Sequence, residues 1–362
     1  MSDDELRPSR TTRSAQVERK WRVQAIVVVV LIAVLIGIAA LASGGNDTPS
    51  ASLAPPPTTA GGPAEPSDLL AFSISGAPNA LAATFGSGGG RPSAAVVVPP
   101  DLTFVMPGAG EMSSDGLQDL PGDQMRLGVS NIDGAWNAHY ATMDLDRFGA
   151  VVDRLGGLTV ELSDAYTSGA ELLGPGATQL TGAQVISLLR AHADDTSARF
   201  ADVLRAFLAV QPQLSPTDLA STDDPQAAAG LLATGSTRVE IMPSQVVGGS
   251  VLSTAQPDLD NLMTELFGTT TPARAEVRNG NGSPGVGGAV AAQLIPAGFR
   301  IVLSDNADNF DYKITEVVAN GADNETQAAA ALDAIGVGKI TVSQVPSGLA
   351  DVSVTVGQDY HG

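Results

Sequence analysis

The 362-residue chain contains no cysteine, which excludes disulfide scaffolds, cysteine-ligated zinc, iron–sulfur centres and thiol catalysis. Histidine is almost as scarce, and His139, His192 and His361 are too scattered to indicate a histidine metal cluster. Lysine and arginine number 19 against 39 aspartates and glutamates, so the basic surface that nucleic-acid binding requires is missing. Aromatic residues are only 4% of the chain, but the 43% hydrophobic content is enough for packed cores. The length favours two domains with connectors.

The first 24 residues differ in charge from the rest of the chain. They carry six basic and four acidic side chains, a net charge of +2, whereas the remainder carries −22. The apolar run AIVVVVLIAVLIGIAALA follows at 25–42, and as a helix it would span roughly 27 Å, close to a hydrocarbon core. Basic residues stand directly before this run, and none follows it until Arg91. By the positive-inside rule, 1–24 is predicted to be a cytoplasmic tail and 25–42 a transmembrane helix, with everything downstream extracytoplasmic.

A cleaved signal peptide is the alternative for this segment. Ala40-Leu41-Ala42 has the small-residue pattern of a cleavage site, but the apolar run is longer than a usual signal-peptide core, which favours a retained signal anchor. Residues 43–67 are rich in Pro, Gly, Ser, Thr and Ala and have almost no large apolar side chain. That composition predicts an extended spacer between the membrane and the globular part.

Alternating strand and helix patterns predict an α/β fold in two units, at 68–268 and 274–360. In the first unit we expect a helix capped by Asp144 or Asp146. The strands predicted there are 69–75, 94–98, 102–106 and 158–162, and the helices are 145–155, 181–191 and 202–210. The second unit is predicted to be a small two-layer α/β domain with strands 275–278, 299–303, 314–319 and 352–356 and helices 286–297 and 325–335.

A glycine motif lies between the first strand and helix of the second unit. Gly280, Gly282 and Gly285 match G-x-G-x-x-G, and Asp305 follows 20 residues after the last of them. Read mechanically, this is a dinucleotide-binding motif. Pro284 removes a backbone donor from the loop, however, and too little chain follows for a doubly wound sheet. A strand-to-helix turn that needs glycine dihedrals is therefore the preferred interpretation.

Short motifs cover nearly the whole of the second unit. They are Asn279-Gly280, Ala297-Gly298-Phe299, Asn306-Ala307, Asp311-Tyr312, Ala350-Asp351-Val352, Gly357 and Asp359-Tyr360. In these positions the unit resembles the LytR C-terminal domain. The resemblance implies an extracytoplasmic accessory domain, common in actinobacteria, with no established chemistry.

The middle of the chain carries a second resemblance. The segments DLDRFGAVVDRLGGLTVELSDAY at 144–166 and GPGATQLTGAQVISLLRAHADDTSARFADVLRAFL at 174–208 are similar to the LytR-CpsA-Psr (LCP) domain. Members of that family transfer glycopolymers from polyprenyl-pyrophosphate carriers to peptidoglycan. The resemblance implies a long apolar pocket for the lipid tail, arginines that hold the pyrophosphate, and carboxylates that contribute to Mg²⁺ binding and catalysis.

The resemblance assigns pyrophosphate binding to Arg91, Arg190 and Arg199. If the domain is active, it also assigns catalysis to Asp101 and Arg190, and metal binding to Asp101. A diphosphate leaving group gains negative charge in the transition state, which arginines and a divalent cation stabilise. Several expected groups are absent. The family's early Arg–Asp pair is reduced to Arg91, the arginine of its P-R-D motif is Pro100, and its later Arg–Gln pair is replaced by Ala201-Asp202.

Three functional hypotheses remain. The missing groups favour a degenerate LCP-like domain, non-catalytic or weakly active and without a cofactor, that binds polyprenyl-phosphate precursors, glycopolymer or partner envelope proteins. The alternative is an active phosphotransferase with Mg²⁺ that attaches glycopolymer to peptidoglycan. A third hypothesis, an envelope-linked regulatory protein, has no helix-turn-helix or basic patch to support it.

Purely structural roles also remain open for several of these residues. Arg190, Arg199 and Asp101 could each form ordinary surface ion pairs. Trp136 and Tyr140, four residues apart, could pack in a core or provide a platform on which sugars stack, and core packing is favoured.

Overall fold

The computed structural model describes residues 67–361, except residues 80, 163, 169–170, 192–194, 236–237 and 249–250. The predicted cytoplasmic tail, the predicted transmembrane helix and all but the last residue of the predicted spacer lie outside the described residues, as does His192. Of the helices in the described part, none is long and apolar enough to cross a membrane.

The N-terminal unit contains both strands and helices. Its strands are β1 (Asp68–Ser75), β2 (Leu81–Gly88), β3 (Arg91–Val98), β4 (Thr103–Met106), β5 (Gly110–Ser113), β6 (His139–Asp144), β7 (Leu158–Leu162), β8 (Tyr166–Ser168), β9 (Glu171–Leu173), β10 (Gly176–Leu180), β11 (Ser221–Thr222), β12 (Arg238–Ile241), β13 (Ser244–Val247) and β14 (Val251–Thr254). Its α-helices are α1 (Gly122–Asp133), α2 (Leu145–Arg154), α3 (Gly182–Arg190), α4 (Thr196–Ala209), α5 (Pro225–Ala233) and α6 (Gln256–Phe267).

A six-stranded sheet of order β11-β6-β1-β2-β3-β12 forms the centre of this unit. Strands β1, β3, β6 and β12 run in one direction, while β2 and β11 run against them. Helices α2 to α5 cover one face, and α1, α6 and the β4 strand cover the other, each over its own apolar cluster. Because both faces are covered, β1 is buried almost continuously from Leu69 to Ile74. We call the edge at which β1, β3, β6 and β12 end the carboxyl edge.

The C-terminal unit is a two-layer α/β domain, as the sequence pattern predicts. Its elements are β15 (Ala273–Asn279), α7 (Val286–Leu294), β16 (Phe299–Asn306), β17 (Glu316–Asn320), α8 (Glu325–Ile335), β18 (Lys339–Ser343) and β19 (Val352–Val356). The sheet order is β16-β15-β19-β17-β18, and α7 and α8 pack on one face of it. Strands β15, β16 and β19 are parallel, and β17 runs against β19.

Several predicted boundaries differ from the observed ones. Helix α4 begins at Thr196 rather than at residue 202, because Thr196 and Phe200 are already buried in the core. Helix α7 ends at Leu294 rather than at 297, and the chain then turns through Gly298, whose φ is +90°. Trp136 and Tyr140 do not share a helix. Trp136 follows α1 and Tyr140 lies on β6, and both are partly buried against apolar clusters.

The two units are in direct contact along β16, an edge strand of the C-terminal sheet. The buried Asn131 side chain donates to the carbonyl of Ile301 at 2.9 Å and accepts from its N–H at 2.6 Å. The buried Arg300 donates to Asp260 at 2.8 Å and to the carbonyl of Asp133 at 3.0 Å. The N-terminal unit therefore covers this edge of the C-terminal sheet with hydrogen bonds as well as apolar contacts.

Candidate functional site

Charged side chains gather where β1 and β6 end, at the carboxyl edge. Ser75 Oγ donates to Asp144 Oδ1 at 3.3 Å, and the other oxygen of Asp144 pairs with Arg147 Nε at 3.0 Å. Asp144 occupies the N-cap position of α2 but makes no capping hydrogen bond. The predicted N-cap position is therefore confirmed for Asp144, but its side chain does not form the capping hydrogen bond. Both carboxylates have arginine partners, Arg147 for Asp144 and Arg190 for Asp146.

Arg190 ends α3 and pairs with Asp146 of α2, with 2.8 Å between Nη2 and Oδ1. The two helices come close because both contribute glycine at their crossing: a Cβ on Gly182 would collide with the carbonyl of Gly149. Asp153 Oδ1 also accepts from Gly182 N at 2.6 Å, which holds the start of α3 against α2. Packing of the two helices thus places Arg190 beside Asp146.

Tyr166 is near both predicted arginines: it contacts Arg199 and lines a cleft with Arg190. Its hydroxyl donates to the carbonyl of Ser187 on α3 at 2.5 Å, and Arg199 Cζ is 5.2 Å from the centroid of its ring. Tyr166 and Arg190 line one open cleft, and Tyr166 and Arg199 line a smaller one. Arg199 Nε also pairs with Asp195 Oδ1 at 2.8 Å. Arg190 and Arg199 therefore lie in two clefts that share Tyr166 as a lining residue.

The structure does not place Arg91 or Asp101 with these two arginines. Arg91 begins β3, at the opposite edge of the sheet, so roughly 25 Å of strand separates it from the carboxyl edge. Its guanidinium packs against Gly268. Asp101 follows the end of β3 at the carboxyl edge, in a left-handed conformation with φ 61°, and does not line the cleft of Tyr166 and Arg190.

Most of the arginines around these clefts are paired with a carboxylate of the chain. Besides the pairs of Arg190 and Arg199, Arg205 bonds Asp202 at 2.7 Å and the carbonyl of Val239 at 2.9 Å. Arg190 and Asp146 are 49% and 77% exposed, so theirs is a solvated pair. Within the part of the chain that the structure describes, no three His, Asp or Glu side chains gather in a group that could hold a metal ion, and Asp101 belongs to no such group.

Sequence reasoning missed Tyr166 and the ion-pair roles of Asp146 and Arg147. A signal for the last two was present: the run Asp144-Leu145-Asp146-Arg147 places three charges at a strand-to-helix junction. Tyr166 had no comparable signal. Its partners Ser187 and Arg199 lie on α3 and α4, more than 20 residues along the chain, so no local pattern links them to it.

Packing and turn geometry account for the glycine motif of the C-terminal unit. Gly285 is the N-cap of α7 with φ 79°, and Gly282, with φ +76°, lies against Phe310. The next glycines, Gly287 and Gly288, contact Gly108 of the N-terminal unit so closely that a Cβ on Gly108 would lie 2.6 Å from Gly288 N. The loop and the start of α7 are thus shaped by turns and by contact between the two units.

The fold and these surfaces define a protein of two α/β domains: a three-layer domain with paired arginines and carboxylates at its carboxyl edge, and a two-layer domain that packs on it. Residues 273–360 match the family model described as "LytR cell envelope-related transcriptional attenuator", which confirms the resemblance of the C-terminal unit to the LytR C-terminal domain. No curated protein matches the chain.

Solved structures similar to this chain include LytR-CpsA-Psr (LCP) proteins. TagV of B. subtilis is 13% identical, with a TM-score of 0.47, over 56% of this chain and 96% of TagV. A LytR-Csp2A-Psr enzyme from Actinomyces oris is 19% identical, with a TM-score of 0.44, over 58% of this chain and 93% of that enzyme. TagT of B. subtilis, solved with bound octaprenyl pyrophosphate lipid, is 17% identical, with a TM-score of 0.44, over 57% of this chain and 90% of TagT.

Proposed function

We propose that the protein is an extracytoplasmic cell-envelope protein, anchored by residues 25–42, whose LCP-like domain takes part in cell-wall glycopolymer assembly without efficient catalysis of its own. In this proposal the carboxyl edge binds the phosphate end of a polyprenyl-phosphate precursor. The observation that carries the proposal is the arrangement of the arginines: Arg190 and Arg199 are each paired with a carboxylate of the chain, and Arg91 lies at the opposite edge of the sheet.

Binding and catalysis place different demands on these arginines. An exposed ion pair such as Arg190–Asp146 stabilises by only about 0–1 kcal/mol, so a phosphate can compete with Asp146 for Arg190. Fast phosphoryl transfer instead needs several pre-positioned donors around the developing negative charge, and losing one such donor commonly costs about 10²–10³ in rate. Because Arg190 and Arg199 are already paired with carboxylates, their arrangement supports phosphate binding more than phosphoryl transfer.

The test measures binding and turnover separately on the full-length chain in nanodiscs. The ligand is a polyprenyl diphosphate, offered with and without Mg²⁺. We expect saturable binding that weakens at least tenfold in the double variant Arg190→Ala/Arg199→Ala. Diphosphate hydrolysis or transfer should be no faster than in empty nanodiscs. Arg238→Ala is the matched control, since Arg238 is also an exposed arginine paired with carboxylates, at the start of β12 and away from the carboxyl edge.

Two outcomes would change the proposal. Turnover that is lost in both Arg190→Ala and Asp101→Ala would replace it with the phosphotransferase alternative, in which Mg²⁺ would act with Asp101. Absence of binding in the unmodified protein would refute a lipid-phosphate site at this edge.

The proposed topology has its own test. A protease added outside intact cells should remove the C-terminal unit, because everything after residue 42 is proposed to lie outside the membrane. Full protection of the C-terminal unit, with a periplasmic or surface control protein digested in the same sample, would contradict the proposed orientation.

A further inference from the structure

A cavity of about 550 Å³ lies between the two units, away from the carboxyl edge. Its walls are largely apolar and come from both units, with Met106, Met112 and Trp136 on one side and Ala289 and Ala292 of α7 on the other. This volume lies in the range of pockets that hold small organic ligands, and such pockets occur preferentially at domain interfaces. The cavity is therefore large enough for a ligand of roughly two or three sugar rings.

The rim of this cavity carries polar groups that the protein leaves available. Asp123 and Gln124, in the first turn of α1, are exposed and line the cavity. Neither side chain makes a hydrogen bond or ion pair with the residues that the structure describes, and the same holds for the indole N–H of Trp136. The rim thus offers donors and acceptors of both kinds to a ligand with many hydroxyl groups.

The aromatic wall is held in place by a neighbouring arginine. Arg126 Cζ lies 4.9 Å from the ring centroid of Trp136 and 5.7 Å from that of Tyr140. Its Nη1 donates to Asp223 at 2.9 Å and to the carbonyl of Ala138 at 3.1 Å. The positive charge is therefore compensated by Asp223, and the indole is fixed before any ligand arrives.

These properties select the ligand class. An anion would meet the unpaired charge of Asp123 and no uncompensated cation, because Arg126 is bound to Asp223. A simple hydrocarbon chain would contact the apolar walls but make no use of the polar rim. A pyranose ring presents C–H groups to apolar and aromatic walls and hydroxyls to carboxylate, amide and indole N–H groups. We propose that this cavity binds a neutral oligosaccharide, independently of any lipid phosphate at the carboxyl edge.

Tryptophan fluorescence provides a direct test, because the chain has only two tryptophans, Trp21 and Trp136. The full-length protein carrying Trp21→Phe, kept in nanodiscs free of sugar detergents, reports on Trp136 alone. The probes are maltotriose and tri-N-acetylchitotriose. We expect a saturable change in Trp136 emission with at least one of them, weakened at least tenfold in Asp123→Ala/Gln124→Ala. Asp258→Ala, which removes an exposed carboxylate from the first turn of α6, is the matched control and should leave binding unchanged.

A second variant separates loss of the site from loss of the fold. Ala289 is exposed on α7 and lines the cavity, so Ala289→Leu fills the space while keeping a good helix former. We expect it to abolish the sugar response without lowering the denaturation midpoint. The proposal is refuted if neither trisaccharide gives a saturable response, if the response survives Ala289→Leu, or if dodecanol elicits a saturable response that the sugars do not.

Discussion

Asn131 is the side chain whose removal should most clearly reveal how the two units depend on each other. It is 3% exposed and bonds three backbone groups, which belong to two residues far apart in sequence. Nδ2 donates to the carbonyls of Val105 at 2.8 Å and Ile301 at 2.9 Å, and Oδ1 accepts from Ile301 N–H at 2.6 Å. The Asn131 side-chain amide therefore bonds the backbone N–H and C=O of Ile301, which a neighbouring strand would otherwise bond at this edge of β16.

Asn131→Ala removes all three hydrogen bonds at once. Each buried backbone group left without a partner costs about 1–3 kcal/mol, so the variant should lose roughly 3–9 kcal/mol of unfolding free energy if water does not enter. Asn131→Asp should be at least as damaging at neutral pH. A carboxylate keeps the acceptor for Ile301 N–H, but it places negative charge against the two carbonyl oxygens that Nδ2 now serves.

The assay is urea denaturation followed by far-ultraviolet circular dichroism and by Trp136 emission in the Trp21→Phe background. The unmodified protein should unfold with coincident transitions, because the apolar cluster of the C-terminal unit also includes Leu127 of α1. In Asn131→Ala the midpoint should fall and the two signals should separate. Asn309→Ala is the control, since Asn309 is exposed and bonds only its close neighbours, and it should shift stability by less than about 0.5 kcal/mol. A loss in Asn131→Ala no larger than in this control would refute the reasoning.

Two further predictions concern the same interface. Burial raises the pKa of Asp133 from its ordinary 3.8 to about 6, against the opposing effects of hydrogen bonds from Thr84 and Asn137 and the charge of Arg300. Because the pKa is raised in the folded state, the protonated form of Asp133 favours folding. Its contribution to the unfolding free energy is fully present below about pH 4 and is lost as the pH rises through about 6. Relative to Asp133→Asn, the unmodified protein should lose about 3 kcal/mol over that window in denaturation curves; identical pH profiles would contradict this. Gly108→Ala, with φ +80° and a new Cβ 2.6 Å from Gly288 N, should lower the thermal midpoint by several degrees, whereas Gly174→Ala, where nothing lies within 4 Å of the new Cβ, should not. Equal thermal midpoints for these two variants would show that the close approach of Gly108 to Gly288 does not affect stability.

Local pattern was a good guide where one face of an element is buried and the other is open. Helix α8 and strand β19 have the predicted bounds, 325–335 and 352–356. In α8 the left-handed Gly336 ends the helix, and in β19 buried and half-buried residues alternate. Strand β2 was not predicted. Its residues Leu81–Phe85 are buried on both faces of the sheet and include small side chains, so apolar and polar residues do not alternate along it.

The sequence by itself determined the charge asymmetry, the apolar run at 25–42, the two α/β units and the motifs of the C-terminal domain, because each depends on composition or on neighbours a few residues apart. Tertiary structure alone decided which charged groups meet. The direction of β3 places Arg91 at the opposite edge from Arg190, and the glycine crossing of α2 and α3 pairs Arg190 with Asp146. Asn131 and Ile301 are 170 residues apart, and contacts at such separations leave no local pattern because they form only when the packed units bring distant backbone groups within hydrogen-bonding distance.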